Sequence, residues 1–175
     1  KEVFMKRLIL FSICCLAGIF MANAQKFALI DMEYIMENIP AYQRANNELQ
    51  LASQQYQKAI EAKMKEAETL YTAYQKASAT LSAAQRTQKE EAIIAKEKEA
   101  AELRQKYFGP EGEMAQKEEA LIAPIQNQIY EAVKQISQQR GYDAVIDRAS
   151  ATSVIFASPR IDISNEVLSK LGYSN

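Results

Sequence analysis

The chain has 175 residues, 48% hydrophobic and 25% charged, with a formal net charge of −1. It contains no histidine and no tryptophan, and its two cysteines are adjacent, which excludes histidine general bases and the usual zinc sets. No block of five or six like charges occurs, so the basic footprint that nucleic acid binding needs is missing.

In chain order, residues 1–24 read as a secretory signal peptide. Met5, the expected start, and Lys6-Arg7 form the basic end, Leu8 to Met21 the apolar stretch, and Ala22-Asn23-Ala24 a small-x-small cleavage site, with cleavage between Ala24 and Gln25. The apolar stretch is short of the ~20 residues that a bilayer-spanning helix needs, so no stable membrane anchor is expected. Cys14 and Cys15 both lie in this segment and neither follows the small residue a lipid-modified cysteine needs, so the mature chain has no thiol, disulfide or lipid. Cleavage leaves 18 basic and 21 acidic residues, a net charge of −3.

A β-like patch at 26–31 comes next, followed by a region, 41–108, of 68 residues without glycine or proline and rich in Ala, Gln, Glu and Lys. As one helix it would be about 100 Å long. Its apolar residues, Tyr42, Ala45, Leu49, Ala52 and Tyr56, follow 3-4 spacing, slip at Ile60 and Met64, and resume at Ala67, Tyr71, Tyr74 and Leu81, a thin coiled-coil seam. Ile94, Leu103, Met114, Leu121, Ile125, Ile129, Val133 and Ile136 continue it in the second half.

Two places could reverse the chain. Gly109-Pro110-Glu111-Gly112 is the louder breaker, but a reversal there would leave about 60 Å of unpaired helix. At 79–82 the signal is quieter, a capping box of Ser82 and Gln85, and it gives two arms of matched length. The preferred reading places the arm at 41–123 with its tip near 79–82, a kink at 109–112, and Pro124 where the arm bends into the body.

The body, 25–40 and 124–175, is expected to hold three short strands: Phe27, Leu29 and Ile30 on the first, Val145 and Ile146 on the second (143–147), Val154, Ile155 and Phe156 on the third (153–157). Ser164 would cap a last helix over 165–171, with Gly172 as its stop. The fold class is α+β, mostly α: a long antiparallel helical hairpin, a coiled-coil tentacle, on a small β body. So little core without staples implies an oligomer, with Phe27, Leu29, Val145, Val154 and Phe156 assigned to its contacts. Glu pairs such as Glu90-Glu91 alternate with Lys as a solvated face, and no phosphate loop or nucleophile motif is present; no enzyme, cofactor or metal is expected.

Taken together, Phe27-Ala28-Leu29-Ile30-Asp31-Met32, the Gln/Lys/Glu-rich hairpin, Gly141-Tyr142-Asp143-Ala144-Val145-Ile146-Asp147 and Asp162-Ile163-Ser164-Asn165-Glu166-Val167-Leu168 resemble the Skp/OmpH family of periplasmic chaperones. The segment 108–112 resembles the form in Bacteroidetes-type members. The resemblance spans residues 5–172. It implies a homotrimer whose strands form a β-barrel and whose three tentacles enclose a cavity. It also implies an ATP-independent holdase for unfolded outer-membrane proteins in the periplasm. The best-known members are basic, whereas interval 76–98 here is only +2, so electrostatic capture is expected to be weaker and no lipopolysaccharide site is carried over. Flexible Met and amphipathic Tyr suit loose binding of many clients, which makes Tyr56, Met64, Tyr71, Tyr74, Tyr107, Phe108 and Met114 the candidates. Each competes with a role in the seam, Phe108 least. The alternative function is a structural coiled-coil adaptor of the cell envelope.

Overall fold

The computed structural model describes residues 25–151 and 153–173. The expected signal peptide lies outside the described residues. Strand β1 (Phe27–Ile30) leads into α1 (Met32–Glu37), whose first turn is capped by Asp31 accepting from the Tyr34 N–H at 2.9 Å. After the two-residue link Asn38-Ile39, Pro40 opens α2 (Pro40–Ala77) at a position where its missing N–H costs nothing. This 38-residue helix rises about 57 Å.

The chain reverses through a 3₁₀ turn, Ser78–Thr80. Helix α3 (Ala83–Phe108) then starts on a complete capping box: the Ser82 hydroxyl accepts from Gln85 N–H and the Gln85 side chain accepts from Ser82 N–H. Gly109 to Gly112 separate α3 from α4 (Glu113–Arg140), which ends on Gly141 in the left-handed conformation, φ +68°. Helix α4 continues through Pro124 without interruption, so the body's helical core and the foot of the returning arm share one helix. The proline's neighbours Ile125, Ile129, Ala132 and Ile136 are buried in the core, and that packing outweighs the hydrogen bond a mid-helix proline removes.

Strand β2 (Ala144–Asp147) pairs parallel to β1, Phe27 opposite Ala144 and Ile30 opposite Asp147. The third expected strand, 153–157, is absent: those residues are irregular. The free edge of β1 is taken instead by Asp162, which forms a bridge with Leu29, while Ile163 N–H donates to the Leu29 carbonyl at 2.9 Å. Helix α5 (Ser164–Lys170) closes the fold, and Gly172 (φ +85°) follows it. Ser164 is not its cap. Its hydroxyl donates to Asp162 Oδ1 at 2.6 Å and accepts from the Asp31 N–H at 2.8 Å, tying α5 to the end of β1.

One core cluster joins β1, α1, the root of α2, α4 and α5, with Ile35, Ile39, Ile129, Ile136 and Val167 almost fully buried. Arg148 spans the rim of this base, 3.0 Å from Asp31 and 3.5 Å from Asp162. Along the arm the buried seam is Ala52, Ile60 and Ala67 on α2 with Ile93 and Ala100 on α3. Two expectations for that seam are corrected. Ile93, not Ile94, is buried, because it lies one heptad before Ala100, and Ile94 is 61% exposed. Met64 and Tyr71 are half exposed rather than packed, leaving the narrow Ala seam to join the helices.

Candidate functional site on the arm

The two arms hold a steady antiparallel register through four polar or aromatic stations. Nearest the base, Lys117 on α4 meets Glu48 on α2 at 2.5 Å. At the helix break, Tyr56 stacks on Tyr107 with ring centroids 4.1 Å apart and planes 6° apart, and Phe108 meets Tyr56 edge-on at 6.2 Å. Further out, Lys63 and Glu66 on α2 face Lys96 and Glu99 on α3, with cross-helix distances of 3.1 and 3.2 Å. Near the tip the Tyr74 hydroxyl donates to Glu90.

The break itself is compact. Eight residues of α2 separate Glu48 from Tyr56, while ten separate Tyr107 from Lys117, so the four-residue interruption adds only about two residues to the descending path. A Cβ on Gly112 would lie 2.9 Å from the Lys106 and Tyr107 carbonyl oxygens, and one on Gly109 2.3 Å from the Gln105 oxygen. Both glycines are there for close approach. Glu113 closes the break from the far side, 3.3 Å from Lys106 and facing Tyr56. The neighbouring Glu113 carboxylate raises the Tyr56 phenol above its usual value, and Tyr56 and Lys106 hold the Glu113 carboxyl below the ordinary carboxylate range.

Alongside the outer salt-bridge station, and reaching past it to Tyr71, an open cleft of about 750 Å³ runs along the α2–α3 contact. Met64, Ala67 and Tyr71 line it from α2, Ala100, Ala101 and Arg104 from α3. A second cleft of about 450 Å³ shares Glu61, Met64 and Arg104 with it and extends to Ser53 and Phe108. Among the described residues no group of carboxylates, histidines or cysteines is placed to hold a metal, and no helix is long and apolar enough to cross a membrane.

The structure sorts the seven candidate contact residues into three groups. Met64, Tyr71 and Phe108 line the joined clefts. Tyr56 and Tyr107 are stacked with each other, Phe108 touching both groups, and Tyr74 is bound to Glu90. Met114 is half-buried at the start of α4. Leu51, Ile94 and Tyr130, each at least 60% exposed, were missed as surface apolar residues. The Ile93-Ile94 pair carried a usable signal, because a seam this thin buries only one of two adjacent residues.

In the body, Leu29 is 4% exposed within the single chain, so its side chain is not offered to an oligomeric contact. Val145 packs against the helical core, whereas its neighbour Ile146 shares the other face with Phe27 and is 38% exposed. Val154 is half-buried; Ile155 and Phe156 are 100% and 86% exposed.

A long helical hairpin arm with open clefts along it, rising from a small α/β base, defines the class of fold. The comparisons with known proteins agree with that class. Residues 26–171 match the family described as outer membrane protein (OmpH-like). The chain is 26% identical over 149 residues to the chaperone protein Skp of Yersinia enterocolitica, covering 85% of this chain and 87% of that protein. A solved OmpH-like outer membrane chaperone from Caulobacter crescentus has the same fold, with a TM-score of 0.66 at 15% identity over 84% of this chain and 83% of that one. The chain belongs to the OmpH-like family. Its coarse role is that of a chaperone, which is not an enzyme class.

Proposed function

We propose that this protein is an ATP-independent periplasmic holdase that keeps unfolded outer-membrane proteins from aggregating, acting as a homotrimer with the arms around a cavity. The observation that carries the reading is the arm itself: exposed apolar side chains on an open, polar-rimmed surface, in a chain of the OmpH-like family. Such a surface adapts to many chains and commits to none. Export with cleavage between Ala24 and Gln25 belongs to the same proposal.

Assembly is supported by what the base leaves uncovered. Among the described residues β1 is flanked by β2 and Asp162 while β2 has no partner on its outer side, and Phe27, Ile146, Ile155 and Phe156 of the base are exposed. The segment 153–157 pairs with no strand of its own chain, and the β2 edge of a second copy is the one it would take. Phe156→Asp then dissociates the assembly, because a carboxylate buried without a partner costs several kcal/mol. Light scattering of residues 25–175 reads the mass, and a variant with the wild-type mass refutes the placement.

The function is tested by diluting a denatured outer-membrane β-barrel from urea with and without the protein and following turbidity. A holdase suppresses aggregation at near-stoichiometric amounts without ATP. No suppression, with tight binding to one folded envelope protein, would establish the coiled-coil adaptor instead.

A further inference from the structure

We propose that the two joined clefts on the arm form one groove that takes a single extended client segment of alternating apolar and polar residues, with a preference for basic flanks. The inference deepens the holdase reading and rests on it for the class of ligand. The groove follows α2 from Ser53 to Tyr71, a length of about 27 Å. An extended chain covers that distance in about eight residues. Its apolar anchors, Phe108, Met64 and Tyr71, are 40%, 52% and 50% exposed, and the small Ala67, Ala100 and Ala101 between them leave room for side chains to enter.

The charges set the preference. Around the arm's other flank Lys63, Glu66, Lys96 and Glu99 neutralise one another. On the groove, Glu61, Glu68 and Glu97 stand against Lys65 and Arg104, and none of the five has an ion-pair partner within 4 Å among the described residues. Unpaired charges of both signs suit the polar positions of an alternating segment, and the surplus carboxylate favours Lys or Arg at its ends. In a strand of period two the apolar residues turn to the groove floor while the polar ones reach these rims; a helical segment of the same length is only about 12 Å long and leaves more than half of the groove empty.

The test uses fluorescein-labelled peptides of twelve residues and residues 25–175 of the protein, read by anisotropy. Three peptides share one apolar core composition: alternating with Lys flanks, alternating with Glu flanks, and reordered to helical period with Lys flanks. The first should bind about fivefold tighter than the second, the scale of one exposed unit charge in water, and lose that margin in 0.5 M salt. Combining Met64→Ser with Tyr71→Ser should weaken it at least tenfold, while Leu51→Ser, elsewhere on the arm, leaves it unchanged. Combining Glu61→Gln, Glu68→Gln and Glu97→Gln should erase the flank preference. Equal binding of the helical-period peptide, or an unchanged affinity of the Met64/Tyr71 variant, overturns the groove. If that variant melts, a benzophenone at the peptide centre decides on the wild-type protein: cross-links within 53–71 and 97–108 support the groove, and cross-links elsewhere refute it. Suppressed barrel aggregation with peptide binding off the groove removes only this proposal; groove binding without suppression removes only the holdase reading.

Discussion

The base gathers twelve buried residues from five elements and the links between them into one cluster, and the side chains at its centre are Ile and Val. The arm buries five apolar side chains in its seam, and three of them are alanines. Its remaining ties are exposed ion pairs, the Tyr74 hydroxyl and the aromatic group of Tyr56, Tyr107 and Phe108. A large apolar side chain removed from water contributes about 1.5–3 kcal/mol, an exposed ion pair rarely more than 1. The base therefore holds most of the cooperative stability, and the arm opens locally without unfolding it. For the proposed holdase this division would have a use: the arm would yield to clients of different size while the base kept its fold.

The sharpest way to break the comparison is to truncate one isoleucine in each region. Ile129 has no exposed surface and sits at the centre of the base, so Ile129→Ala should cost about 3–5 kcal/mol and lower the melting temperature by roughly 10 °C. Ile93, 7% exposed, lies in a two-helix seam that can close over a lost side chain, and Ile93→Ala should cost about 1–2 kcal/mol. Equal shifts in thermal melts at one protein concentration would mean the arm and base unfold as one unit.

Next in size is the helix break. Gly112→Ala pushes a methyl group against three backbone atoms at 2.9 Å, which should cost about 1–3 kcal/mol. The near-ultraviolet circular dichroism of the stacked Tyr56 and Tyr107 reports it, and an unchanged spectrum would show that the break is looser than its geometry. Smaller still is the tip. Ser82→Ala removes the hydroxyl half of the capping box, worth about 1 kcal/mol. Hydrogen exchange over 83–90 should accelerate about fivefold while the melting temperature stays put; a global shift would place the tip in the cooperative core.

How much of this division was legible depends on the length scale over which each signal acts. The reversal near 79–82 was readable because Ser82 and Gln85 state it locally, and the equal-arm argument needed only helix rise. The second strand's faces were not, since Val145 and Ile146 are equally apolar and only the packing of α4 decides which turns inward. The third strand failed for a related reason. A β-prone run such as Val154-Ile155-Phe156 shows that a strand can form, but its pairing edge is set by distant residues, and here Asp162 and Ile163 occupy the one beside Leu29. The contact candidates were found as residue types; the cleft that joins Met64, Tyr71 and Phe108 depends on helix rotation, which a seam of small residues specifies weakly.

The smallest expected effect concerns the outer salt-bridge station, and it tests whether the arm's polar ties matter at all. Hydrogen bonding from Lys96 lowers the Glu66 carboxyl from its usual value, and bonding from Lys63 lowers that of Glu99. Groups with depressed values stabilise the folded form above the ordinary carboxylate range, and that contribution fades as pH falls through their folded values. Lys96, raised by Glu99 and Glu66, keeps its contribution until the solution is more alkaline than a free lysine tolerates. All four side chains are at least 30% exposed, so salt should weaken the station as acid does. Exchange over residues 60–70 should rise modestly on going from pH 7 to pH 3.5, after correction for the intrinsic rate, and rise again in 1 M salt at pH 7. Combining Glu66→Gln with Glu99→Gln should remove both dependences. If the double variant keeps them, the four charges are a solvated face, and the apolar seam with the aromatic stack holds the arm together without them.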